Sequence, residues 1–138
     1  MNVKSYKDLA VWQKSMDMAS LVYRVTADLP VDERFGLISQ ARRAAVSVPA
    51  NLAEGHRRSS TKDYLRFVSI AAGSLAELET LIELAARLYS IQSTFLEELV
   101  SRTDEVGRML RGLQHGLEER LSSPSPWSPD PSPSPTNA

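Results

Sequence analysis

The chain has 138 residues, 42% hydrophobic, with 16 basic against 17 acidic groups, which suits one domain around one core and leaves little room for a second. Its cysteine count is zero, which excludes a disulfide framework, a thiolate nucleophile and a cysteine zinc site. No stretch is apolar for long enough to span a bilayer or to serve as a signal peptide, so no membrane partner is expected and the cytoplasm is the default location.

The periodicity is helical throughout, and strand alternation is missing. In residues 7 to 29, Leu9, Trp12, Met16, Ala19, Tyr23 and Thr26 advance by steps of three and four, the spacing of one helix face. Pro30 closes that helix, because the residue before a proline is pushed out of the helical region. The second segment carries Ile38, Ala41, Ala45, Val48 and Leu52 at the same spacing, which predicts a helix despite Pro49. The proline has no N–H for the carbonyl of Ala45 and crowds it, at a cost of about 3 kcal/mol in a helix interior, so a kink is expected there. Ala44, Ala45, Ser47, Ala50 and Ala53 leave little bulk beside the proline and invite another helix backbone to come close.

Roughly opposite the apolar stripe runs a second line, Gln40, Arg43, Ser47, Asn51, Glu54 and Arg58. Serine and asparagine are poor helix residues that compete for backbone hydrogen bonds, so they are unusual choices for a merely solvated face. Gln40, Arg43, Ser47, Asn51 and Glu54 are accordingly read as a hydrogen-bonded contact surface between subunits. Gly55 is expected to cap the end of this helix.

The third helix is outlined by Tyr64, Phe67, Ala71, Leu75, Leu78, Ile82, Ala85 and Tyr89 and opened by a Ser-Thr cluster at residues 59 to 61 that can cap it. Gly73 within it is expected to permit close helix contact. The fourth helix follows Leu96, Leu99, Thr103, Val106, Leu110, Leu113 and Leu117, and Thr94 with Glu97 has the form of a capping box at its start. The last stretch, SSPSPWSPDPSPSPTNA, holds six of the eight prolines and cannot bury enough surface to offset chain entropy. The expected organisation is a helical domain over residues 1 to 121 and a disordered Pro/Ser-rich tail over residues 122 to 138.

Catalytic patterns are lacking. A di-iron bundle needs Glu-x-x-His pairs, and neither His56 nor His115 has a glutamate three residues before it. His115 and Glu118 form one reversed pair, which is no ligand set. No nucleophile elbow or phosphate-cradling glycine loop is present. No enzyme activity, metal or cofactor is expected.

Charge is instead polarised along the chain. Residues 34 to 66 hold seven basic and two acidic groups, a net of plus five, whereas residues 77 to 105 hold seven acidic and two basic. Two functions fit. Arg42, Arg57, Arg58, Lys62 and Arg66, with Arg43 beside them, can meet the phosphates of RNA or DNA. Alternatively the same arginines pair with the acidic third and fourth helices of a neighbour in a protein-binding or scaffolding oligomer. The stretch HRRSSTKDYLR favours the first reading, because it sets basic and hydroxyl groups at a helix start where backbone N–H groups also attract anions.

Three stretches in order, YKDLAVWQKSMDMA, FGLISQARRAAVSVPANLAEGHRR and FVSIAAGSLAELETLIELAARL, resemble the bacterial four-helix-bundle family of ribosomal RNA (23S) intervening-sequence proteins, over roughly residues 5 to 90. More distantly, that family is similar in fold to the accessory variability protein of diversity-generating retroelements. The resemblance implies an all-α, up-down antiparallel four-helix bundle that assembles into a homopentameric ring. For the retroelement relative it implies binding of nucleic acid and of a reverse transcriptase. That relative is strongly basic, whereas this chain has a pI of about 6.1.

Overall fold

In the computed structural model, which describes residues 5–122, four helices follow one another: α1 Ala10–Thr26, α2 Leu37–His56, α3 Thr61–Leu88 and α4 Ser93–Ser122. Short 3-10 turns at Tyr6–Asp8 and Val31–Glu33 precede α1 and α2, and no strand occurs among the described residues. The expected C-terminal tail lies, beyond Ser122, outside the described residues.

The buried face of α1 is Val11, Ser15, Met18, Val22 and Val25 together with Ala19 and Thr26 of the expected line, whereas Met16 and Tyr23 of that line are 42% and 45% exposed. Both lines step by three and four, so spacing alone does not choose between them. Ser15 hides the true one: it looks polar in sequence, yet it is fully buried with its hydroxyl donating to the Trp12 carbonyl at 2.8 Å, so its burial leaves no unmet hydrogen bond. The helix also stops at Thr26, earlier than Pro30 suggested. The chain unwinds through single turns, Asp28 N–H to Val25 O and Leu29 N–H to Thr26 O, which let Leu29 reach the core.

Helix α2 keeps the expected stripe, with Ala41, Ala45, Val48 and Leu52 buried and Ile38 half-buried. It runs unbroken through the buried Pro49 to His56. Gly55 is therefore inside the helix and not its cap; Arg57 occupies that position and its N–H reaches the carbonyls of Ala53 and Gly55. The close contact expected at Gly73 is found at Gly55 instead. A Cβ on Gly55 would lie 2.7 Å from Phe67 Cβ and 3.0 Å from Tyr64 Cδ1, whereas one on Gly73 would meet nothing within 4 Å. Of the two glycines, Gly55 is the one at a close approach of α2 and α3, because residue 73 turns outward on α3.

Ser60 caps α3, its hydroxyl accepting from Asp63 N–H at 3.1 Å, and its core line Ala71, Leu75, Leu78, Ile82 and Ala85 is buried as expected. Helix α4 begins at Ser93, with Leu96 N–H bonded to Gln92 O. Thr94 thus sits inside the first turn, and the capping box expected from Thr94 and Glu97 is not how this helix starts.

Contacts along the helices run in opposite senses for the pairs α2–α3, α3–α4 and α1–α4. Against α2, α3 places Ser74 on Ser47 and Phe67 on Gly55; against α3, α4 places Gln114 on Ser69 and Gly107 on Leu75. Lys14 pairs with Glu105 and Asp17 with Arg102 between α1 and α4. Each helix packs on two neighbours and none on its diagonal, which is the antiparallel up-down bundle. Its centre holds Met18, Val22, Val48, Leu52, Val68, Leu78, Leu99 and Leu110 at 1% exposure or less, where cutting one leucine to alanine costs about 2–5 kcal/mol.

Candidate nucleic-acid interface

The antiparallel turn between α2 and α3, residues 57–60, brings the end of one helix and the start of the next to one corner of the bundle. Arg57, Arg58, Lys62 and Arg66 are all exposed there. Arg58 reaches Glu54 at 2.7 Å and Arg66 reaches Asp63 at 3.9 Å, both through solvent-exposed side chains. Such pairs are worth about 0–1 kcal/mol and exchange readily for a phosphate. Both guanidinium groups also rest on Phe67, at 4.8 Å and 4.5 Å from its ring centre, so a half-buried ring positions two arginines by cation–π attraction. Arg57 and Lys62 make no ion pair among the described residues.

Arg42 is separate from this corner. Its Nε–H donates to Thr26 Oγ1 at 2.9 Å, its Nη2 donates to the Tyr23 carbonyl at 3.2 Å, and its guanidinium lies 4.5 Å from the Tyr23 ring centre. Thr26 passes the chain on by donating to Val22 O at 2.7 Å. A cation at the carbonyl end of α1 is attracted by the partial negative charge of the helix dipole, so Arg42 fastens α2 to the end of α1.

The polar line of α2 divides in a similar way. Ser47 shares a 2.7 Å hydroxyl contact with Ser74 of α3, and Asn51 Nδ2 donates to both the carbonyl and the hydroxyl of Ser47, at 2.8 Å and 3.0 Å. Because Asn51 donates to Ser47 Oγ, the Ser47 proton is free to go to Ser74. These hydrogen bonds lie within the chain, at the small-residue seam of α2 and α3. Gln40, Arg43 and Glu54 are exposed; Glu54 holds Arg58, and Arg43 has no ion pair among the described residues.

The basic stretch of the sequence forms a groove without carboxylates, whereas the groove between α3 and α4 is balanced in charge. A groove of about 600 Å³ between α1 and α2 is lined by Tyr23, Arg34, Ile38, Arg42, Arg43 and Val46, with no carboxylate. Between α3 and α4 a groove of about 320 Å³ carries Glu79 and Asp104 facing Arg108 and Arg111 over the small residues Ala72, Ala76 and Gly107. Burial, and then the Asp104 charge, raise the Glu79 carboxyl above its ordinary 4.5, against the opposing pull of Arg111. Sequence reasoning passed over Arg34, Lys7 and Glu79, whose neighbourhoods arise only when separate elements meet. Lys7 reaches the corner because the turn Tyr6–Asp8 packs on α2, where it lines a pocket with His56 and Arg57.

Among the described residues no group of three or more His, Asp or Glu side chains is placed to hold a metal ion, and no helix is long and apolar enough to cross a membrane. The expected reversed pair of His115 resolves as an exposed contact with Glu119 at 3.0 Å.

Residues 7–112 match the family model described as 23S rRNA-intervening sequence protein. No curated protein matches the chain. Among solved structures, the chain is similar to a crystal structure of a protein with unknown function from the S23 ribosomal protein family of Bacteroides thetaiotaomicron. The TM-score is 0.68 at 23% identity, covering 76% of this chain and 98% of that one; at that identity the likeness carries the fold. With the family model spanning most of the bundle, the chain belongs to the 23S rRNA-intervening sequence protein family.

Proposed function

We propose that this protein is a non-enzymatic cytoplasmic oligomer that holds the backbone of RNA or DNA at the corner formed by the end of α2 and the start of α3. The observation that carries the reading is the convergence of Arg57, Arg58, Lys62 and Arg66 on one exposed corner, where carboxylates reach them only through solvent-exposed pairs. A near-neutral protein can still hold a polyanion when its cations are gathered on one side and repeated around a ring. The family likeness supports a homopentamer, and the more distant retroelement likeness supports a reverse transcriptase as a protein partner.

Binding is expected to be indifferent to base sequence and to weaken steeply with salt, because each phosphate contact releases counterions. Fluorescence anisotropy with 5′-hydroxyl single-stranded RNA and with duplex DNA, at low and moderate salt, measures it. Replacing Arg57 and Lys62 together by alanine is expected to lower the logarithmic salt slope by about 1.4–1.8, from two contacts at about 0.7–0.9 each. An absence of binding to either polymer at low salt and micromolar protein disposes of the proposal.

A second reading has its own observation. Phe35 is 82% exposed and Val46 44%, and Phe35 flanks a polar groove with Arg43, while Val46 flanks the basic groove of α1 and α2. Exposed apolar groups rimmed by arginine suit a protein partner or a second subunit. Light scattering after size exclusion distinguishes an oligomer from a monomer of 15.3 kDa.

A further inference from the structure

Where the turn Tyr6–Asp8 meets the end of α2, a pocket of about 480 Å³ is lined by Ser5, Tyr6, Lys7, His56 and Arg57. It brings two cations and an imidazole together without a carboxylate, whereas the grooves beside α3 each contain glutamate or aspartate. The nearby Glu54 is taken up by Arg58. Neither Lys7 nor Arg57 has an ion-pair partner among the described residues.

The walls are held from both sides. Ser5 Oγ accepts from Lys7 N–H at 3.2 Å, and Gln13 Nε2 donates to Lys7 O at 2.9 Å, which fixes the turn on α1. Tyr6 meets Trp12 edge-on with ring centres 5.3 Å apart, and His56 meets Tyr64 edge-on at 5.7 Å. Arg57 is the residue that closes α2. The free ends of Lys7 and Arg57 therefore stand on a rigid frame, and binding need not order that frame first. The carbonyl end of α2 opposes an anion through its partial negative charge, but Ala53 O and Gly55 O are already bonded by the N–H groups of Arg57 and Arg58, and two full cations outweigh a half charge.

We infer that this pocket takes a phosphomonoester attached to a nucleobase, either the terminal phosphate of a nucleic-acid strand or a free mononucleotide. A monoester presents two charges and three terminal oxygens, which match an ammonium, a guanidinium and an imidazole donor; an internal diester presents one charge and two free oxygens. Tyr6 lines the same pocket and is the aromatic ring on which a base would stack, and the volume lies in the range that holds a small ligand. The strand-end form rests on the proposed binding of nucleic acid; the mononucleotide form does not.

The test uses the full chain in two assays: NMR titration with adenosine 5′-monophosphate against adenosine, and anisotropy of one short single-stranded RNA carrying a 5′-phosphate, a 3′-phosphate or hydroxyl ends. The monophosphate is expected to shift the signals of Tyr6 and His56 while adenosine does not. A phosphorylated strand is expected to bind about tenfold more tightly than the hydroxyl strand, the equivalent of one charge-assisted hydrogen bond. Lys7→Ala and Arg57→Ala should each abolish that preference, whereas Lys62→Ala should weaken all strands alike and keep it. Binding of the monophosphate without binding of any strand supports the pocket as a mononucleotide site and removes the polymer reading. Equal affinity for all strand ends, with no response to the monophosphate, overturns the pocket while leaving backbone binding in place. No binding of the monophosphate or of any strand overturns both.

Discussion

Gly55→Ala and Gly73→Ala make the same chemical change in two helices of one bundle, and the structure assigns them opposite signs. In an exposed helix interior, alanine is favoured over glycine by about 1 kcal/mol. Residue 73 is exposed and its new Cβ meets nothing within 4 Å, so Gly73→Ala should gain most of that. At residue 55 the new methyl lies 2.7 Å from Phe67 Cβ, well inside the 3.4 Å at which ordinary contact begins, and 3.3 Å from the Tyr64 backbone oxygen. Phe67 Cβ is bonded directly to the α3 backbone and cannot swing away, so the two helices must part by several tenths of an ångström. That loosens the seam containing Leu52, Val68 and Ala71, all fully buried. Overpacking of this kind costs about 1–3 kcal/mol; set against the propensity gain it leaves Gly55→Ala up to about 2 kcal/mol less stable. The two variants should thus differ by about 2 kcal/mol, or roughly 8 °C in thermal midpoint for a domain of this size. Circular dichroism melts measure it. Equal upward shifts in both variants would refute the assignment of Gly55 to a close approach of α2 and α3.

Arg42→Ala should destabilise the bundle by about 1–3 kcal/mol through the lost hydrogen bonds and ring contact at the end of α1, while leaving the salt slope of RNA binding unchanged; a reduced slope in a protein of unaltered melt would return Arg42 to the interface. Glu33 is held below its ordinary 4.5 by the Tyr89 hydroxyl at 2.5 Å and then by Leu37 N–H, so its contribution is present above that pH and is lost as pH falls through the depressed value. The same bond raises Tyr89 above its ordinary 10.0, a contribution present below that pH and lost as pH rises through the higher value. Glu33→Gln should therefore melt below the parent at neutral pH and converge with it in strong acid; a gap that persists unchanged in acid counts against the carboxylate as the cause.

The legibility of the sequence varied with how much each residue's role depends on distant parts of the chain. Ala41, Ala45, Val48 and Leu52 announce their buried face because no competing stripe runs beside them, and the line from Ala71 to Ala85 does likewise. In α1 the competing stripe through Met16 and Tyr23 is just as regular, and only the local hydrogen bond of Ser15 reveals which one can be buried. The glycines were misassigned because spacing does not tell where a neighbouring helix comes nearest. At the corner, the cluster from Arg57 to Arg66 is contiguous in sequence and so was visible. The attachment of Arg42 to Thr26 and the arrival of Lys7 beside Arg57 both require helices to have packed.

A basic segment in a sequence is therefore not the same as a basic surface in the fold. Of the cations between residues 34 and 66, Arg42 is committed to the end of α1, and Arg34 lies 4.8 Å from the ring centre of Phe35. Those gathered at the corner owe their position to the packing beneath them. The Cβ of Phe67 sets how near α2 can approach at Gly55, and its ring carries the guanidinium groups of Arg58 and Arg66. That near approach permits a connection of only four residues, 57–60, between the two helices. The short connection in turn keeps Arg57 and Arg58, which close α2, beside Lys62 and Arg66, which open α3. One aromatic side chain thus joins the α2–α3 contact at Gly55 to the charged corner, so a change that parts α2 from α3 should spread the cations as well as weaken the bundle.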